Sequence, residues 1–351
     1  MSLSNNKIFA VVAVVIIIAA AAAAVVLTNN GSDKGGDDPK PVVPDDDYYP
    51  VTVKTYDPAK AEMVDVTFTE RPKNIIAFQG GALELLLYFG LGDSITKAYV
   101  KNNYVLCNQS LQSELKKVTV EPRENGSVET LISLQPDLIV GWSSTFKETA
   151  QQTMDFWAKR NVNCLVSNSP NSTVEDVCNT VKAIGIVFNM QEKAQKYIDT
   201  MNKNIDTIKK KTAGISDADK PSVLAIEIGY EGSAYCYGSN YITGKLIALA
   251  GAKSAFDGGM TKLTYEQIAG LKPDVILLVV NSGDFRSEEN VNGLIKNLKS
   301  IEGFASIPAI QNDRIIHYGL YEVYQSGIIP EDILERLYND IYPPTSSLMV
   351  A

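Results

Sequence analysis

The sequence predicts an α/β protein: two similar α/β lobes joined by one long helix, preceded by an N-terminal hydrophobic helix. Three observations carry that expectation. Short β-rich runs alternate with longer helical patterns, the rhythm of βα units and parallel sheet. A helix-to-strand stretch at 128–141 recurs at 265–278, an offset of 137 residues. Between the two copies, residues 190–212 form an amphipathic pattern with no glycine or proline. At 351 residues the chain has the length of about two ordinary domains.

In chain order, Lys7 precedes an unbroken apolar run from Ile8 to Leu27. Such a run, at about 1.5 Å per residue, matches a hydrocarbon core of about 30 Å. It is longer than the roughly 7–15-residue core of a secretory signal, so residues 1–27 read as a membrane anchor in preference to a cleaved signal segment. Lys7, the sole base before the run, places the short tail inside and the rest of the chain extracytoplasmic. No cysteine follows the run closely, which leaves no site there for lipid attachment. Residues 28–50, rich in Gly, Asp and Pro, read as a disordered linker spanning about 25 Å.

Residues 51–189 are assigned to the N-terminal lobe. Strands are expected at 73–78, 137–142 and 161–167. Helices are expected after Gly81, from Lys147 to Lys159, and from an N-cap at Thr173. In 190–212, Met190, Ala194, Tyr197, Ile198, Met201, Ile205 and Ile208 recur at three- and four-residue steps, and Lys209 to Lys211 suit a helix C-terminus. The C-terminal lobe, 213–351, carries strand candidates at 222–229, 274–280 and 314–319. Each repeat copy ends its helix in Leu-x-Pro-Asp, because proline cannot continue a helix. Asp137 and Asp274, at the start of the following strand, are expected to bond local backbone rather than to do chemistry.

Composition narrows the function. There are 41 acids against 32 bases, a net charge of −9, so no phosphate-neutralising surface and no nucleic-acid partner are expected. One histidine, His317, cannot form a histidine metal cage or catalytic pair. Four cysteines lack CxxC spacing; a Cys164–Cys178 bridge and buried free thiols both fit. Asn108, Asn125 and Asn171 begin sequons that permit, and do not require, glycosylation. No nucleophile elbow, P-loop, GxGxxG or zincin motif occurs, so no enzyme activity and no resident cofactor or metal are expected.

The segment "RPKNIIAFQGGALELLLYFGLGDSITKAYV", both Leu-x-Pro-Asp repeats, the long helix and "SIPAIQNDRIIHYG" together resemble the substrate-binding proteins of ABC importers for iron chelates, haem and cobalamin. The resemblance covers nearly all of 70–343. It implies an extracytoplasmic protein that captures a metal chelate (a ferric siderophore-like chelate, a corrinoid or haem) between two lobes and delivers it to an ABC permease and its ATPase. It also implies one docking glutamate per lobe. Glu84 stands at the first-lobe position; in the second lobe Lys245 stands about where the acid would be, and no Asp or Glu occurs from Gly232 to Phe256, leaving Glu231 or Asp257 as substitutes. That departure keeps open a sensor or scavenger without a permease, and the fold also hosts enzymes.

Ligands of open α/β lobes lie at the carboxyl ends of the strands. That rule selects Gln79, Tyr99, Tyr104, Trp142, Tyr230, Tyr237, Phe285, Arg286, Tyr318 and Tyr321 as ligand-binding candidates. Aromatic faces with polar tips suit a bulky planar or macrocyclic ligand, and Arg286 suits an anionic group.

Overall fold

The computed structural model describes residues 45–102, 104–281, 283–324 and 333–343. The expected anchor and the first part of the linker fall outside them. No helix among the described residues is long and apolar enough to cross a membrane.

The first strands form a hairpin that the sequence reading did not foresee. β1 (Val51–Asp57) and β2 (Glu62–Phe68) pair antiparallel along their whole length. Alternation in β1 buries Val53, Thr55 and Asp57, the period of two that one-sided burial requires. Thr55 Oγ1 accepts a hydrogen bond from Val166 N at 2.9 Å, so the hairpin covers an otherwise open sheet edge.

A five-stranded parallel sheet follows. Its strands are β3 (Ile75–Phe78), β4 (Ile95–Val100), β5 (Val120–Pro122), β6 (Leu138–Trp142) and β7 (Asn163–Asn168), in the order β5-β4-β3-β6-β7. Near-continuous apolar strands match burial on both faces. Ile75, Ala77, Leu138 and Val140 pack with the helices Gly80–Tyr88 and Val174–Val187, while Ile76, Phe78 and Ile139 pack with Phe146 and Trp157. The Val174–Val187 helix begins in the capping box of Thr173 and Asp176. The helical pattern expected over 147–159 yields only Met154–Ala158, capped by Thr153. Residues 147–152 are polar and carry no apolar stripe, so nothing holds them in a helix; Gln151 instead lends its carbonyl to Trp157 Nε1 at 2.6 Å.

The second sheet holds β8 (Ser222–Tyr230), β9 (Ser233–Tyr237), β10 (Lys253–Ser254), β11 (Met260–Thr264), β12 (Val275–Val280) and β13 (Ile315–Gly319). Its order is β11-β9-β8-β12-β13, with β10 beside β8. The parallel expectation holds for β10, β8, β12 and β13 but not for β9, which runs antiparallel to β8 and β11. A two-residue turn at Glu231-Gly232 makes the reversal, with Gly232 at φ +62°.

One 22-residue helix, Gln191–Thr212, connects the two sheets. Ala194 and Ile198 sit in the core of the first sheet, and Ile205 and Ile208 in the core of the second. The repeat is a pair of clamps. Asp137 accepts from Lys73 N at 2.7 Å and Asn74 N at 3.0 Å, tying the start of β6 to that of β3. Asp274 accepts from Ser222 N at 2.8 Å and Ser222 Oγ at 2.7 Å, tying β12 to β8. The backbone they bond is that of a neighbouring strand, not of their own turn. All four cysteines are free thiols, which removes the Cys164–Cys178 bridge; Cys164 and Cys236 are buried.

Charge-assisted bonds of this kind are worth roughly 1–3 kcal/mol. Asp137→Ala should therefore lower unfolding free energy by about 1–2 kcal/mol, and the more exposed Asp274→Ala by less, with an unchanged denaturant slope. Urea titration followed by circular dichroism checks both.

Candidate functional site

The carboxyl ends of the two sheets face each other, and described residues from both close the space between them. Trp142, at the end of β6, lies parallel to Tyr324 of the second lobe, with ring centroids 5.6 Å apart and planes 8° apart. Tyr104 meets Tyr321 edge-on at 5.5 Å. Gly80 permits that approach, since a Cβ there would stand 2.5 Å from the Tyr104 ring. Lys101 Nζ bonds Asn281 Oδ1 across the gap. Arg286 Nη2 donates to the carbonyls of Leu106 at 2.7 Å and Cys107 at 3.0 Å. Lys245 Nζ donates to the carbonyl of Asn171.

The polar centre is Glu227, 6% exposed in the middle of a strand. It accepts from Tyr237 OH at 2.6 Å, Tyr230 OH at 2.9 Å and Asn281 Nδ2 at 2.5 Å. Tyr324 OH donates to Tyr237 OH at 3.0 Å. A buried carboxylate needs such donors, because an uncompensated one costs several kcal/mol. Burial and the neighbouring Glu227 push the Tyr230 phenol up to about 12, and burial raises Tyr237 and Tyr324 as well. Burial lifts Tyr321 to about 12. Lys101 moves the other way, lowered by its desolvation, with Glu227 partly opposing. The cleft thus offers phenol hydroxyls, an indole face, and the Lys101 amine near the Glu227 carboxyl.

The predicted residues divide into two groups. Tyr104, Trp142, Tyr321 and Arg286 meet residues of the opposite lobe directly, Tyr230 bonds Glu227 beside Asn281, Gln79 bonds Ser144 Oγ of its own lobe at 3.4 Å, and Tyr237 bonds Glu227 from within the second-lobe core. Arg286 meets first-lobe carbonyls there instead of standing free for an anion. Phe285 packs on Gly319 beneath the Arg286 guanidinium.

Tyr99, Tyr237 and Tyr318 are corrections, since all three are fully buried. Tyr99 is fully buried in the first-lobe core, stacked on Phe78 at 5.1 Å. Tyr318 is fully buried against the C-terminal helix, bonding Asp340 at 2.8 Å. All three lie at or next to strand ends, where helices and loops packed on both faces of each sheet cover them. His317 borders a cavity of about 660 Å³ between the lobes, which Cys107, Phe285, Arg286, Glu322 and Arg336 also line.

Glu84 is also corrected as an exposed docking acid. It is 1% exposed and accepts from Cys107 N at 2.8 Å, Asn108 N at 3.1 Å and Tyr104 OH at 2.9 Å. Burial raises its pKa against the pull of those donors. Sequence reasoning missed Glu227, Lys101, Asn281 and Tyr324. A lone acid inside the apolar strand "SVLAIEIG" was a usable signal for Glu227, and a tyrosine one turn beyond Tyr321 was one for Tyr324. Lys101 and Asn281 lie in the strand-end stretches 99–104 and 281–286, where the preference for aromatic side chains passed over them.

Two α/β lobes that meet at the carboxyl ends of their strands, joined by one stiff helix, define a two-lobed ligand-binding protein. The chain belongs to the periplasmic binding protein family, whose model, described as "Periplasmic binding protein", matches residues 75–321. It is 26% identical over 299 residues to the uncharacterized ABC transporter substrate-binding lipoprotein YvrC of Bacillus subtilis, covering 85% of this chain and 87% of that one. It is 20% identical over 276 residues to the Fe(3+)-citrate-binding protein YfmC of the same organism, covering 78% and 83%. Its fold matches the structure of an ABC-type Fe3+-hydroxamate transport system from Saccharomonospora viridis with a TM-score of 0.67, at 19% identity, over 84% of this chain and 100% of that one.

Trp157, the other tryptophan, is fully buried. Tyr324→Ala should therefore red-shift the intrinsic emission and raise acrylamide quenching through Trp142 alone. An unchanged spectrum would mean that the stack does not form.

Proposed function

We propose that this protein is an extracytoplasmic solute-binding protein, held at the membrane by residues 8–27, that captures a ferric chelate between its lobes and hands it to an ABC permease. The observation that carries this reading is the aromatic cleft: an indole and several phenols from both lobes, gathered where strand ends meet. Neutral phenols donate hydrogen bonds to oxygen-rich chelates, and Lys101 supplies a cation for their negative charge. The iron-chelate names of two relatives support the same class. Trp142, Tyr324, Tyr321, Tyr104 and Tyr230 are the contacts we assign to the ligand, with Lys101 opposite an anionic group. A flat ligand between Trp142 and Tyr324 requires a ring separation of about 7 Å, two stacking distances. The lobes must therefore part by only a small amount from the 5.6 Å seen between the rings.

The long helix favours a small excursion, because its two ends are embedded in separate cores. A reading as a sensor without a permease draws on two features: Glu84 is covered, and Lys245 bridges the lobes where an acid would dock.

The test uses the full-length protein in detergent micelles, with thermal unfolding and Trp142 emission recorded against ferric citrate, a ferric hydroxamate, haem, cobalamin and uncomplexed ferric ion. A cognate ligand at 100 times its dissociation constant should stabilise the fold by about 2.7 kcal/mol. Trp142→Ala should weaken that ligand about tenfold or more, in line with the roughly 1–3 kcal/mol of a stacked aromatic contact. Haem or cobalamin alone responding would shift the cargo within the chelate class. A response to the bare ion alone, or to none of the five, would overturn the proposal.

A further inference from the structure

The segment Tyr104–Asn108 is held from two sides at once. From its own lobe, Glu84 accepts from the Tyr104 hydroxyl and from the amides of Cys107 and Asn108, so both carboxylate oxygens are engaged. From the other lobe, Arg286 grips the carbonyls of Leu106 and Cys107, and Tyr321 packs on the Tyr104 ring. The peptide groups around Cys107 therefore face a carboxylate of one lobe with their N–H and a guanidinium of the other with their C=O. This polarises them in one direction and ties the position of the segment to the distance between lobes. Glu84 is 1% exposed because this segment lies over it.

We propose that Tyr104–Asn108 senses lobe approach: contact with Arg286 and Tyr321 holds it over Glu84, and separation of the lobes releases it and opens the Glu84 carboxylate to water. Arg286 is then a positioning residue that acts on Glu84 through the Cys107 peptide. Gly80 belongs to the device, since only a residue without Cβ lets Tyr104 and Tyr321 meet over the start of the Gly80–Tyr88 helix.

The coupling rests on the interlobe contacts, not on the identity of the cargo. The test below is blind to cargo and permease, so either idea can fail alone.

Amide hydrogen exchange and carboxyl titration on the full-length protein in micelles decide the matter. Arg286→Ala should accelerate exchange at the Cys107 and Asn108 amides at least tenfold, while amides of β3 and β6 keep their rates. Tyr321→Ala should accelerate the same two. Arg286→Lys retains the charge but cannot fork onto two carbonyls, and should give a smaller acceleration at the same positions; it also decides the question if alanine unsettles the lobe. In Arg286→Ala the Glu84 carboxyl should titrate lower, toward the ordinary glutamate range, as water reaches it. Rates within twofold of the parent in all three variants would overturn the proposal, since Glu84 alone would then hold the segment. Faster exchange with an unmoved Glu84 titration would overturn the uncovering.

Discussion

The anchoring of one helix in two cores is the constraint on which the rest of the molecule depends. Ala194 and Ile198 are buried with the first sheet, Ile205 and Ile208 with the second, all on one stripe of the same 22-residue helix. A continuous helix is stiff along its length, so bending it would break hydrogen bonds within it. The separation of the two sheets is thereby nearly fixed. Strand carboxyl ends face each other across a narrow gap, and side chains from the two lobes meet there. The Trp142–Tyr324 stack and the Lys101–Asn281 bond follow from that geometry.

A gap that closes on itself must satisfy its own polar groups. Glu227 would be costly as an isolated buried anion, and the structure surrounds it with two phenols and an amide. Those donors reach it because β9 reverses against β8 and brings Tyr237 beside it. The hairpin at Glu231-Gly232 thus does more than extend a sheet: it supplies the donors that let a carboxylate sit in an apolar strand. A ligand that entered would exchange these bonds for its own, which favours a partner rich in oxygen over an apolar one.

The two positions where family resemblance raised expectations about docking both became interlobe features. Lys245 reaches the carbonyls of the Asn171 turn, a contact that an acid could not make. Glu84 is folded under a segment that the opposite lobe grips. Both departures put charge into the relation between lobes instead of onto an outer face.

Much of the plan was legible in the sequence because it rests on local rules. The long helix followed from a three- and four-residue apolar period, the Thr173 cap from a hydroxyl three residues before an acid, and the twin lobes from a repeated Leu-x-Pro-Asp. Buried parallel strands such as β6 and β12 were readable as short apolar runs. What the sequence could not settle was anything that depends on which side of a sheet a strand-end residue faces, or on which distant backbone an acid meets. Tyr99 and Trp142 are alike in sequence, each an aromatic at or next to the end of a first-lobe strand; one is packed on Phe78 in the core and the other stacks on Tyr324 of the opposite lobe. The β1–β2 hairpin was missed because its alternation is half polar, and its burial comes from docking on β7. Composition and periodicity by themselves determined the α/β class and the two-lobed plan, since both arise from interactions a few residues apart. The membership of the cleft, the pairing of Lys101 with Asn281 and the covering of Glu84 were decided by the tertiary structure, because each joins residues from opposite lobes or separate loops that only the long helix and the packed cores bring within bonding distance.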